Sequence, residues 1–94
     1  MRYDAGTTDI PTAGTAAQIS NTLDKVKAIS VRCKPGNVGN IAFGVSDVTM
    51  TNGWTLRPGE SKAVHFGEGS VLFSTFWVNA ANNGDDAEWD VVLE

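Results

Sequence analysis

The residues able to do chemistry are few in this chain of 94 residues. His65 is the only histidine and Cys33 the only cysteine. A single imidazole cannot build a His-rich metal centre, and no Ser or Cys nucleophile motif accompanies it. Lying mid-run between Val64 and Phe66, His65 reads as a structural or surface side chain. Cys33 shares its parity with Ile29 and Val31 in "ISVRC", which predicts a buried, inert thiol. Asp85, Asp86, Glu88 and Asp90 offer the oxygens that calcium prefers, without the D-x-D-x-D-G spacing that ring-like coordination requires. They read as a solvated loop running into the outer face of an edge strand, where charge discourages unwanted pairing. The glycines of "GNVGNIAFG" precede neither a helix N-terminus nor a Lys-Ser/Thr pair, so they do not form a phosphate loop. No catalytic, cofactor-binding or metal site is expected, and the chain reads as a non-enzyme.

The elements that position these residues must come from one domain with one modest core, because a chain this short buries only about two thirds of its unfolded surface. A hydrophobic share of 41% and a charged share of 19% suit an ordinary globule. The formal charge of -4 and the scattered basic residues argue against nucleic acid, whose phosphates attract clustered Lys and Arg. No run approaches the roughly 18 apolar residues of a membrane span, and the N-terminal stretch lacks the apolar centre of a signal peptide. The expectation is a chain that starts at Met1 and is assembled in a cytoplasm, which one unpaired cysteine also suits.

From residue 17 onward, short alternating runs are separated by turn residues, the mark of an antiparallel all-β domain. "AQIS" is a short first strand, and "VKAISVRC" puts Ile29, Val31 and Cys33 on one face against Ser30 and Arg32. Pro35 and Gly36 suit the centre of a type II turn, and Gly39 allows a further positive φ. The next strand would begin at Asn40, with Ile41, Phe43 and Val45 inward, so that "KPGNVG" forms a tight hairpin between two core strands. Asn52-Gly53 and Pro58-Gly59 mark further turns before "WTL" and "SKAVHF". "VLFSTFWVN" and "AEWDVVLE" complete six or seven strands, a small antiparallel sandwich or jelly-roll-like barrel. At most one helical turn fits, in "SNTLDKV".

Two features do not close on themselves. Residues 1–16 show no period and form an extended N-terminal arm to the domain of residues 17–94, either folded back on it or docked on a neighbour through Arg2, Tyr3 and Ile10. Both parities of residues 71–79 are apolar, so Phe73 and Trp77 face either a covering segment of the same chain or another subunit. Trp54, beside a turn, invites the same reading.

The succession "CKPGNVGNIAFGVSDVTMTNGWTLRPGES", closed by "DAEWDVVLE", resembles small β-sandwich proteins encoded among the structural genes of tailed bacteriophages. Pro35, Gly36, Asn37, Gly39, Asn40, Ile41 and Gly44 fit the pattern P-G-N-x-G-N-I-x-x-G of that group. Asn52, Gly53, Leu56, Pro58, Gly59, Glu60 and Ser61 fit the N-G and L-x-P-G-E-S that follow. The likeness spans residues 26–94; "GEGSVLFSTFW" departs from it by its aromatics, and the arm matches no part of it. These motifs are turn and strand chemistry, which specifies a fold better than a task.

The resemblance implies a virion component, such as a capsid decoration or cement protein that binds the major capsid protein or another virion protein. On that expectation the protein acts in the virion as a homo-oligomer, a trimer by preference. The arm would lie along the capsid while residues 71–77 meet sister copies, and deleting residues 2–14 would leave a folded domain that no longer binds shells. An alternative of a different class is a tail or head-fibre component that binds a carbohydrate or receptor, with Trp54 and Trp77 stacking on sugar rings.

Overall fold

The computed structural model describes residues 2–94, and Met1 lies outside the described residues. The chain is an all-β sandwich of two antiparallel sheets. The first sheet runs β1 (Arg2–Ile10), β9 (Asp85–Leu93), β3 (Lys25–Cys33), β6 (Ser61–His65), with the short β7 (Val71–Leu72) pairing β3 beyond the end of β6. The second runs β2 (Ala17–Gln18), β8 (Trp77–Ala80), β4 (Ile41–Gly44), β5 (Trp54–Leu56). Nine strands therefore stand among the described residues where six or seven were expected; β2 is the expected "AQIS" strand, and the surplus comes from β1 and from the division of "VLFSTFWVN" into β7 and β8.

The core forms where the alternation said it would. Val26, Ile29, Val31 and Cys33 of β3 and Ala87, Val91 and Leu93 of β9 point inward from the first sheet, against Ile41, Phe43 and Val78 of the second. Each fully buried Val, Ile, Leu or Phe contributes about 1.5–3 kcal/mol of transfer free energy. Phe43, Phe76 and Phe66 link in a chain of tilted ring contacts with centroids 5.8 and 6.0 Å apart.

Residues 2–10 are no free arm. All nine residues of β1 pair with β9, from Arg2 opposite Leu93 to Ile10 opposite Asp85, which is the folded-back alternative. Ile10 is fully buried in the core. Residues 6 and 8 also lie on the inward parity, yet Gly6 and Thr8 contribute little bulk there. The Trp89 indole fills the space instead: a Cβ on Gly6 would come within 2.6 Å of its ring, and its Nε1 donates to Thr8 Oγ1 at 3.1 Å. Removing residues 2–14 would strip an edge strand, expose Trp89 and take Ile10 from the core, so the expected folded remainder does not follow.

The Pro-Gly corners also differ from expectation. Residues 34–40 do not close a hairpin, because β3 and β4 belong to different sheets; the stretch carries the chain from one layer to the other. Gly36 and Gly39 are not among the glycines with positive φ, which excludes the type II turn at Pro35-Gly36. Gly59 does have a φ of 89°, and Glu60 N–H donates to the Arg57 carbonyl at 2.8 Å, so the second Pro-Gly pair makes the type II turn. It too crosses between layers, from β5 to β6.

The aromatic run is broken as well. β7 ends at Leu72, a single 3-10 turn covers Phe73–Thr75, and β8 starts at Trp77. The "SNTLDKV" stretch holds no helical turn. Val45, expected inward, is half exposed because β4 ends at Gly44 and the chain turns there.

Candidate functional site

The acidic residues of the last strand do not converge. Asp85 is buried, and its carboxylate accepts the Val38 and Gly39 amides at 3.0 Å each. It is a clamp on the crossover between layers rather than part of a solvated loop. Asp86 lies 3.7 Å from Lys34, and Glu88 accepts two bonds from the Arg32 guanidinium at 2.7 and 3.0 Å. β9 lies between β1 and β3, so it is not the edge strand the sequence suggested. Among the described residues no three His, Cys, Asp or Glu groups are placed to hold a metal ion.

Cys33 is buried, accepts a bond from Asn37 Nδ2 at 3.2 Å and lies 3.5 Å from the Gly39 carbonyl oxygen. Burial pushes its thiol above the ordinary value, which outweighs the lowering effect of the Asn37 bond. His65 is exposed on the outer face of the first sheet, opposite Ala28.

The six residues singled out for contact fall in separate places. Arg2 and Tyr3 are exposed at the start of β1. Arg2 pairs with Asp24 at 2.9 Å, and the Tyr3 phenol is raised by loss of hydration first and by the Asp90 carboxylate second. Ile10 is withdrawn into the core. Phe73 is likewise buried, edge-on to Trp89 with ring centroids 5.3 Å apart, so it offers nothing to a second subunit. Trp77 is half-buried opposite Gly44, whereas Trp54 stands opposite Phe43, on the other parity of the same sheet. The two indoles therefore face different sides, and no common platform exists.

Trp54 is the exposed one. It keeps 52% of its surface in water although its parity points inward, because β5 is the last strand of its sheet and the ring emerges at the rim of the sandwich. Lys62 Nζ lies 4.6 Å from the ring centroid. Beside the ring opens a cleft of about 450 Å³, lined by Phe43, Gly44, Val45, Asp47, Asn52 and Trp54 among others. Sequence reasoning saw the tryptophan and missed the cleft, which depends on how residues 45–53 fold back.

That fold-back is specified by close packing and by amides. Val48 is buried against the second sheet, and a Cβ on Gly44 or Gly53 would come within 2.9 or 2.5 Å of its Cγ2. Asn79, itself buried, donates to the Val48 carbonyl at 3.0 Å. Asn52 accepts the Thr49 amide at 2.6 Å and donates to the Asp47 carbonyl at 3.1 Å. "N-G" here is less a turn signal than a staple followed by a gap for Val48.

A second, polar groove of about 370 Å³ crosses the outer face of the first sheet, between Ala5, Ser30, Ser61, Glu88 and Asp90. No helix of the described residues is long and apolar enough to cross a membrane.

No family model and no curated protein matches this chain. Among solved structures, the chain is similar to IMPa from Pseudomonas aeruginosa, determined in complex with an O-glycopeptide, with a TM-score of 0.53 at 14% identity. The match takes in 98% of this chain and only 12% of that one, so this chain spans about an eighth of the neighbour's length. At that identity the likeness concerns the sandwich fold alone.

Proposed function

We propose that this protein is a structural component of a tailed-bacteriophage virion, a decoration or cement protein that seats on the outer capsid surface in several copies and stiffens the shell. The resemblance of its corner motifs to that group supports the reading. The observation that carries it is the open side of β1.

β1 ends its sheet, so only one of its sides is paired. The Ala5 amide donates to Asp4 Oδ1 at 2.9 Å and therefore points away from β9. Two-residue alternation then turns the amides of Tyr3, Thr7 and Asp9 to the same open side. Natural edges are usually protected by Lys, Pro or a bulge. The centre of this one, "AGTT", has no such device. An extended segment of a capsid protein can add there as a further strand, its main chain supplying affinity while exposed Arg2 and Tyr3 contribute side-chain contacts.

Thr7→Pro tests the reading, because it deletes one outward amide and leaves the β9 ladder in place. The variant should keep the wild-type melting curve and fail to co-sediment with phage shells that lack the protein. Sedimentation equal to wild type would remove β1 as the contact.

A further inference from the structure

We infer that the cleft between Val45, Asp47 and Trp54 binds a neutral pyranose, with the sugar's C–H face on the Trp54 indole and its hydroxyls on the Asp47 carboxylate. Trp54 is an aromatic surface held half in water, whereas tryptophan is buried to a high degree on average. Its cation–π partner is already supplied by Lys62, which is not part of the cleft lining, so an ordinary organic cation gains little there. The apolar C–H face of a pyranose carries weakly positive hydrogens and suits the negative face of an indole without a full charge.

The polar complement is selective. Asn52 uses its amide on both sides within the loop, so it is not free to turn to a ligand. The Asp47 carboxylate, by contrast, makes no ion pair or side-chain hydrogen bond among the described residues, and it is exposed. A carboxylate accepts hydroxyl protons in charge-assisted bonds. It repels uronic and sialic acids, as does the net charge of -4. The cleft lies within the range of about 300–1,000 Å³ that small ligands occupy. Its loop is fixed by Val48, Asn52 and Asn79, so little ordering entropy is lost on binding.

The test is a titration of the full-length protein, followed by amide and indole N–H resonances, with methyl β-D-glucopyranoside, methyl β-D-galactopyranoside, N-acetylglucosamine and sialic acid. At least one neutral sugar should shift the Trp54 indole and the Gly44 and Gly53 amides saturably, with Kd on the order of millimolar. Trp54→Ala should abolish the Gly44 and Gly53 shifts. Asp47→Asn, at an exposed position that should not disturb folding, should raise Kd about tenfold. No saturable shift with any neutral sugar, equal affinity for sialic acid, or an unchanged Kd in Asp47→Asn would each overturn the assignment. Shell binding through β1 is read in a different assay on different residues, so either can fail while the other stands.

Discussion

Two corners of this molecule begin alike and end differently. Lys34-Pro35-Gly36-Asn37 and Arg57-Pro58-Gly59-Glu60 each put a basic residue before Pro-Gly, and each carries the chain between layers beside Cys33. Proline presets φ at the first central position in both, but the glycine after it takes a positive φ only at residue 59. The second corner is held mostly by its own residues: Glu60 Oε1 accepts the Arg57 amide at 2.7 Å, and the turn docks on both backbone groups of Cys33. The first closes its own bond from the Asn37 amide to the Lys34 carbonyl at 3.0 Å, but its remaining ties come from outside, from Asp85 and from Asn37 bonded to both backbone groups of Asp86 at 2.7 and 2.9 Å. A Pro-Gly pair fixes where the chain turns; the groups around it decide which turn is made.

Substitutions can separate the two modes. Asp85→Ala should have the largest effect, about 3 kcal/mol, since it orphans two amides and leaves a gap under the crossover. A shift in the urea midpoint worth less than a third of that would mean the first corner is self-supporting. Asn37→Ala should cost about 2 kcal/mol through the lost pair of bonds to Asp86. Gly59→Ala should cost about 1 kcal/mol for forcing an L residue to positive φ. Gly36→Ala, with open space at its Cβ and no positive φ, should stay within about 0.5 kcal/mol of wild type. Equal costs at the two glycines would erase the distinction between the turns.

The smallest effect is a pH slope. Bonds from the Arg57 backbone and then from its side chain hold the Glu60 carboxyl below its ordinary value. A depressed carboxyl contributes stability above its unfolded value and loses it as pH falls through the folded one. Glu60→Gln should therefore leave neutral-pH stability nearly unchanged and flatten the acid limb of a melting-temperature profile. Exposure and solvent screening keep this contribution small.

The two long inner strands were legible because their neighbours cover both edges and leave only the faces to be patterned. Ile29, Val31 and Cys33, or Val91 and Leu93, had to alternate. β1 was not legible, because its inward positions at residues 6 and 8 are filled by the ring of Trp89, from the far end of the chain, instead of by their own side chains. The break at Phe73–Thr75 had no Gly or Pro to announce it, so two apolar parities looked like one strand with two buried faces. Buried Asp85 was read by its charge, while its role depends on two amides some 46 residues away in sequence. At the candidate cleft, the tryptophan was visible and Asp47 was not, since only the seating of Val48 brings that loop beside the ring.

The pairing of Arg2 with Leu93 has a mechanical corollary. Forces that draw those two residues apart peel β1 from β9 rung by rung, like a zip, and such a joint yields under a weak pull. A load entering along the length of β1 and leaving through the start of β9 strains all nine rungs together, as a glued lap joint is strained. The same ladder is thus fragile or tough according to the direction of tug, and a partner lying alongside β1 would engage it in its tough direction.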